Sequence, residues 1–352
     1  MKNGADSLRW VSDLMRAQRT RQREAVRDAL KVAPIPIPQV IVDELALLNP
    51  TDALDVLKDH PGFKIWQRWK SYQAALALFE RCMADLFAAI DAFDEVMRQD
   101  DLFSASQRHK REEGSLRVHK ELFAAGNAAH SLRDHASYRL QDIVQNPEFK
   151  ARLAEHFGDD GLHDFVIALR TITHHIEMVE PALRITHRFG GNAAEITFYL
   201  DRDKLQAAVE SVKQESGKYK INEAGRRYLK DALATIDVKA IYEEYLVRAS
   251  AFHSWFSGTL EAGPPLDLQD FERCLKANGD MAARTMWKAL LGNWLNWDKP
   301  PNPYDHLPRL LTGAQLEEVM RLPRKSEQQV DRVIAFLDKD GACDDEFAAR
   351  HI

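Results

Sequence analysis

Arg170, His174 and His175 place one fixed charge and two titratable side chains within six residues of this chain. An arginine is permanently charged, and an imidazole gains and loses its proton near neutral pH. Together these groups can stabilise a phosphate and transfer protons without a metal ion. The stretch from Arg170 to His175 is therefore a candidate catalytic site for phosphate chemistry, with Thr171 as a supporting hydrogen-bonding residue.

A second polar set lies on an earlier predicted helix. Its main members, Asn127, His130 and Asp134, recur every three or four positions and share one helix face, with His135 beside them. A polar stripe on a long helix is often simply exposed to solvent. The competing interpretation is that this stripe faces the helix of Arg170, where Asp134 would orient a histidine and Asn127 would hold a loop.

The elements that must position these residues are mostly helical. Apolar residues recur at intervals of three and four in the segments 5–31, 40–48, 62–98, 115–144, 147–157, 162–179, 201–214, 236–260, 266–297, 314–321 and 326–337, and a further helix starts at Asn222. Alternating residues on both sides of a Gly-Gly-Asn turn predict a β-hairpin over 183–200. The predicted fold is all-α, a multi-helix bundle with a small β-hairpin insertion and a helical C-terminal appendage.

Breaks in the pattern predict three regions. Residues 1–60 comprise a basic helix, a linker with prolines at 34, 36 and 38, and short helices. Residues 61–262 form the bundle with its hairpin, and the charged segment 99–114 is predicted to be a connector within it. Gly263-Pro264-Pro265 precedes the C-terminal helical appendage, residues 263–352.

Composition limits the class of protein. The formal net charge of −6, from 48 Lys and Arg against 54 Asp and Glu, argues against a surface that binds polyanions all over, but it permits a local basic groove. The three cysteines form no CxxC pair, which indicates reduced thiols rather than a zinc site. No stretch approaches the roughly 20 apolar residues of a membrane span, and we expect a cytoplasmic protein without membrane contact.

Other chemistries lack their residues. His174 and Glu177 would supply half of a carboxylate–histidine metal site, but the sequence contains no second Glu-x-x-His segment. No serine lies on a glycine-flanked elbow, and no glycine-rich loop of a nucleotide-binding type is present. The sequence therefore predicts a site without metal or cofactor.

The spacing of Arg170 and His175 resembles the Arg-x4-6-His motif of the HEPN superfamily, whose members are helical bundles and include many ribonucleases of toxin–antitoxin and phage-defence systems. The resemblance covers roughly residues 115–260, including the polar helix of Asn127 and Asp134. Thr171 departs from the family pattern, in which asparagine or another strongly polar residue is more common after the arginine. The family spacing selects His175, whereas regular helix geometry places position 174 on the face of Arg170.

The resemblance implies a metal-independent endoribonuclease in a symmetric homodimer. In such an enzyme a 2′-hydroxyl of RNA attacks the adjacent phosphate, Arg170 stabilises the developing charge and His175 acts as general acid or base. It also implies an antitoxin or a defence protein as a partner. The alternative is a non-catalytic HEPN-like interaction or scaffold module, in which Arg170 would pair with a carboxylate such as Asp164 or Glu177. Some other enzymatic activity is the third possibility.

Overall fold

A computed structural model shows a chain built almost entirely of helices. It describes residues 3–97, 108–139, 147–157, 160–175, 182–187, 194–215, 221–296, 307–324 and 326–337. These ranges contain thirteen α-helices and one sheet of three short strands. The predicted class, an all-α fold with a small β insertion, is confirmed.

The chain divides into two compact units. The terminal unit combines residues 1–64 with residues 266–352, and the central unit comprises residues 65–265. The sequence had separated residues 1–60 from residues 263–352, whereas the structure joins both ends of the chain in one unit. The division after Pro265 coincides with the predicted break at Gly263-Pro264-Pro265.

The central unit contains most of the long helices. Their bounds are α4 (Pro61–Met97, whose first turn belongs to the terminal unit), α5 (Arg108–Arg139), α6 (Pro147–Phe157), α7 (Leu162–His175), α8 (Arg202–Glu215), α9 (Glu223–Asp231) and α10 (Val238–Ala262). The capping residues at two of these helices were predicted from sequence. Asp201 accepts hydrogen bonds from the backbone N–H groups of residues 203 and 204 at the start of α8, and Asn222 accepts one at the start of α9.

The predicted connector over 99–114 is wrong in its second half, because α5 already begins at Arg108. Arg108 donates to Glu112 one turn later over 2.7 Å, a pairing that supports an exposed first turn. Gly114, the predicted last residue of the connector, lies inside this helix. A Cβ at that position would come within 2.5 Å of the Phe93 ring, so the glycine allows α4 and α5 to approach closely.

The sheet consists of β1 (Ala182–His187), β2 (Ala194–Asp201) and β3 (Thr235–Asp237), in the order β1-β2-β3 with both pairs antiparallel. The first two strands are those of the predicted hairpin. The third was missed, because Ile236 was assigned to the start of a helix. The side chain of Asp237 instead caps α10 by accepting from the N–H of Ala240 over 3.1 Å, so the helix begins at Val238 and Ile236 pairs with Leu200.

The core of the central unit is formed mainly by α4, α5, α7 and α10. The apolar stripe of α10 is buried throughout and consists of Ile241, Tyr245, Ala249, Phe252 and Phe256. Phe149 of α6 packs edge-to-face against Phe252 and Phe256, with 5.5 Å between ring centroids in both pairs. Aromatic contacts of this kind add to the stabilisation from burial. They fix α6 on α10.

The terminal unit comprises α1 (Asn3–Val32), α2 (Gln39–Ala46), α3 (Pro50–Leu57), α11 (Leu266–Asn296), α12 (Gly313–Met320) and α13 (Glu327–Leu337), with a 3-10 turn at Leu307–Arg309. Two buried polar side chains of α11 hold the N-terminal helices. Asn278 donates to the carbonyl oxygens of Leu45 and Leu48 at the end of α2, and Asp270 accepts from the backbone N–H of Ile37 over 2.7 Å. These bonds explain why the two ends of the chain form one unit.

Candidate functional site

The polar face of α5 lies against α7. Gly126 is directly beside Arg170, since a Cβ on the glycine would stand 3.5 Å from the arginine Cβ. Farther along, the positive charge of Arg133 on α5 acts on the ring of His163 on α7. Residue numbers therefore fall along α5 as they rise along α7, and the two helices are antiparallel. Of the two interpretations of the Asn127 face, the hydrogen bond from Arg170 to Asn127 supports the one in which this face meets α7.

Arg170 is half-buried and is held by an amide. Its Nε donates to Oδ1 of Asn127 over 3.3 Å, while Nδ2 of Asn127 donates to the carbonyl oxygen of Phe123 over 2.9 Å. The second bond fixes which end of the amide faces the arginine. Across the described ranges Arg170 forms no ion pair, and Asp164, one of the carboxylates considered for it, accepts a hydrogen bond from Asn222 instead. No described carboxylate therefore neutralises the positive charge of this guanidinium group.

A histidine–carboxylate pair lies one turn from Asn127. Nδ1 of His130 is 3.3 Å from Oδ2 of Asp134, and the other carboxylate oxygen of Asp134 accepts two hydrogen bonds from Arg133, at 3.2 and 2.8 Å. The contact joins positions four residues apart on one helix, so the histidine beside Asp134 belongs to α5 and not to α7.

Burial lowers the pKa of His130, and the charges of Arg133 and Arg170 lower it further against the opposing effect of Asp134. An imidazole with a depressed pKa is neutral at physiological pH and can accept a proton. His130 stands one helical turn from Asn127, the residue to which Arg170 donates. Arg170 and His130 are residue types suited to acid–base chemistry on a phosphate.

His163 lies at the other end of this cluster, near the start of α7, and was not predicted from the sequence. Its Nδ1 lies 3.1 Å from the hydroxyl of Tyr245, and its ring stacks on that tyrosine with 17° between the planes. Burial lowers the pKa of His163 to about 4. The residue stands seven positions before Arg170, two helical turns on the same face, so the helical period applied to polar residues would have identified it.

His119 was missed for the same reason. It lies seven positions before Gly126 on α5, on the face that meets α7, and its Nε2 is buried without a hydrogen-bond partner among the residues that the structure describes.

The remaining predicted residues are distributed differently. The hydroxyl of Thr171 donates to the carbonyl oxygen of Ile167 in its own helix over 3.2 Å. His135 is half-buried and, as the residue after Asp134, points about 100° away from it around the axis of α5. His174 and His175 are the last two residues of α7, and their side chains lie outside the described part of the molecule.

Helix geometry still constrains the two terminal histidines. Because α7 is continuous from Leu162 to His175, position 174 follows Arg170 by one turn, whereas position 175 is rotated by about 140° from it. The antiparallel packing also places Asp134 near the level of His163. Position 174 is eleven residues beyond that level, about 16 Å along the helix axis. Asp134 cannot therefore orient His174 or His175 of the same chain.

A second buried titratable pair lies away from this cluster. Nδ1 of His253 is 2.8 Å from the hydroxyl of Tyr72, and burial lowers the pKa of His253 to about 3. Burial also raises the pKa of Tyr72. The pair is neutral at physiological pH and holds α4 against α10, so we assign it to the stability of the core.

This histidine predicts how stability depends on pH. The pKa of histidine in an unfolded chain is about 6.5, so the folded state binds the proton less well than the unfolded state does. The stabilisation is present above pH about 6.5 and is lost as the pH falls toward about 3, with a slope of up to about 1.4 kcal/mol per pH unit. Urea unfolding of a His253→Gln variant should show a shallower acid slope, by about 1 kcal/mol per pH unit.

The control for that experiment is His109→Gln, which changes an exposed histidine and should keep the slope of the parent protein. An unchanged slope in the His253 variant would mean that this ring binds a proton as readily in the folded state as in the unfolded state.

Comparisons with protein-family models, with curated proteins and with solved structures give no match. The described residues contain no group of three or more His, Cys, Asp or Glu side chains that could hold a metal ion. Among the helices described, none is both long and apolar enough to cross a membrane.

Proposed function

We propose that the facing sides of α5 and α7 form the active site of a metal-independent endoribonuclease of the HEPN type. The observation that carries this proposal is the state of Arg170: a half-buried guanidinium held by the neutral amide of Asn127, near the His130–Asp134 pair. An arginine that pairs with no carboxylate among the described residues, which do not include Glu177, is suited to bind a phosphate, and a neutral imidazole is suited to accept a proton.

The roles follow from this geometry. Nε2 of His130 removes the proton from a 2′-hydroxyl, and the resulting oxygen attacks the adjacent phosphorus. Arg170 stabilises the additional negative charge on the phosphorane oxygens. The bond from phosphorus to the 5′-oxygen then breaks, and that oxygen takes up a proton. The products are a 2′,3′-cyclic phosphate and a 5′-hydroxyl. Asp134 holds the imidazole in the required tautomer, and Asn127 orients the arginine.

The leaving oxygen needs a proton donor on the opposite side of the phosphate from His130. In this proposal His174 or His175, at the C-terminal end of α7, supplies that proton, either within one chain or across a symmetric homodimer. Membership of a toxin–antitoxin or phage-defence system, with an antitoxin or defence protein as partner and the cytoplasm as location, belongs to the same proposal. It is supported by the resemblance of the Arg170–His175 spacing to the HEPN motif.

The direct test is cleavage of single-stranded RNA in excess EDTA. We expect cleavage to persist, to yield cyclic-phosphate ends and to fail on a substrate with 2′-deoxyribose at the cleaved position. A His130→Ala variant should lose about 10²–10⁴-fold in rate. The exposed His109 provides a matched His109→Ala control that should retain full activity. Cleavage that depends on a divalent cation, or a fully active His130→Ala variant, would contradict the assignment.

A non-catalytic interaction module is the second candidate. It is favoured by the hydroxyl of Thr171, which is already bonded within its own helix, and by the aromatic packing of His163 against Tyr245. If this candidate is correct, purified protein will not cleave RNA in any state of assembly. Substitutions at Arg170 would then affect only stability or partner binding.

A further inference from the structure

A groove in the terminal unit is separate from the α5–α7 cluster. It has a volume of about 750 Å³ and lies between the α2–α3 corner, the second half of α11 and one side of α1. Its apolar lining includes Leu47, Leu48, Met281, Met286 and Ala289. Leu47 and Met286 are 63% and 45% exposed, so the lining is open to solvent. Methionine side chains adapt to different shapes and are common on surfaces that bind helices.

The wall formed by α1 extends the groove. Arg19 and Gln22 line it directly, and Met15 and Val11 stand four and eight positions before Arg19 on the same side of the helix. Both apolar side chains are exposed. The wall from Val11 to Gln22 is about 16 Å long, and the lining from Met281 to Ala289 on α11 is about 12 Å long. These lengths match the three or four anchor residues of an amphipathic helix, spaced i, i+3 or i+4, and i+7.

One end of the groove is basic. An adjoining cavity of about 340 Å³ is lined by Arg16, Arg19, Thr20, Arg23, Asn49 and Asp52. Arg23 pairs with Glu24, and Arg16 has only Asp13 at 3.9 Å, with both side chains highly exposed. Arg19 forms no ion pair within the described ranges. Two guanidinium groups therefore remain available to a ligand, and Asp52 is the single carboxylate among the described residues that line the cavity.

Charge also discriminates between possible occupants. The exposed half of α1 carries Arg9, Arg16, Arg19 and Arg21 against one described acidic side chain, Asp13. If a second copy of the chain placed this helix in the groove, it would bring arginines against Arg19. Like charges in contact oppose such an association. An acidic helix would instead satisfy both the apolar lining and the basic end.

We propose that this groove binds an acidic amphipathic helix of a partner protein, with its apolar anchors on Met281 and Met286 and a carboxylate beside Arg19. The same charge-assisted contact would set the direction in which the helix lies. The inference does not depend on ribonuclease activity, because every residue in it belongs to the terminal unit.

The probe is a fluorescein-labelled synthetic peptide of about 18 residues, five helical turns, with leucines at the anchor spacing and flanking glutamates. Its counterpart carries lysine in place of each glutamate. Fluorescence anisotropy with the full chain should show saturable binding of the acidic peptide and binding about tenfold weaker for the basic one. Arg19→Glu and Met286→Glu should each weaken the acidic peptide about tenfold or more. Arg21→Glu is the matched control, because two positions along a helix turn that side chain about 200° from the groove.

Equal affinity for both peptides, absence of saturable binding, or equal effects of Arg19→Glu and Arg21→Glu would overturn the proposal. Displacement of the acidic peptide by single-stranded RNA, together with loss of RNA binding in Arg19→Glu, would assign the groove to nucleic acid. Sedimentation equilibrium that shows a dimer in the parent chain and a monomer in Met286→Glu would assign it to a second copy. All the substituted side chains are exposed, so we expect each variant to fold. Circular dichroism checks that it does.

Discussion

Replacing Arg170 with alanine is expected to reduce the rate of RNA cleavage by about 10²–10³-fold, the usual effect of removing one group that stabilises charge in a transition state. The loss should appear mainly in kcat, because the extra charge on the phosphate develops only as the 2′-oxygen attacks. Stability should change far less. The substitution removes a half-buried hydrogen bond to Asn127, which corresponds to about 1 kcal/mol.

Arg170→Lys separates charge from geometry at the same position. Lysine keeps one positive charge but lacks the planar group that donates to Asn127, so we expect intermediate activity. The matched control is Arg117→Ala, which removes an exposed arginine from α5 and should leave the rate unchanged. Single-turnover cleavage of labelled RNA measures the rates, and urea unfolding measures the stabilities. If Arg170→Ala cleaves RNA as fast as the parent protein, Arg170 has no part in catalysis and the interaction module becomes the better assignment.

Asp270→Asn is expected to destabilise the terminal unit by about 3 kcal/mol, because the buried carboxylate accepts hydrogen bonds from Ile37 and Arg273 that an amide cannot all accept. The side chains of Asp270 and His60 are each 1% exposed, and Nε2 of His60 stands 3.6 Å from Oδ2 of the aspartate. The other oxygen, Oδ1, accepts two hydrogen bonds from Arg273, at 3.1 and 2.7 Å. An asparagine would direct an amide N–H group at the arginine or at the backbone N–H of Ile37.

The effect should be local as well as large. Asp270 connects α11 with Ile37, and Nδ1 of His60 accepts from the N–H of Gly62 over 2.9 Å. Burial, the largest influence, lowers the pKa of His60, so a neutral ring is the form that fits this site. Hydrogen exchange should therefore show reduced protection of residues 37–62 in the variant. Glu272→Gln, an exposed change on the same helix, is the control, and a difference between the two variants below about 1 kcal/mol would mean that the network contributes little.

The sequence predicted the helices well, because their signals are local. Apolar periodicity located α4 and α10, proline marked the start of α6, and the capping residue Asn222 marked the start of α9. The β-hairpin followed from alternation around a glycine turn. The start of α5 and strand β3 were missed, because Gly114 is accommodated by a ring from another helix and Ile236 pairs with a strand 36 positions earlier.

The candidate site shows the same division. The residue types of Arg170, Asn127, His130 and Asp134, and their placement on two helix faces, were determined by the sequence alone. Tertiary structure decided that α5 and α7 pack antiparallel. That packing joins Asn127 to Arg170 and keeps Asp134 away from the end of α7, whereas the helical period of α5 alone pairs Asp134 with His130. It also decided that residues 1–64 and 266–352 form one unit, through polar contacts such as that of Asp270 with Ile37. The reason is physical: a helical period specifies which residues share a face, but the packing of the other helices determines which face meets it.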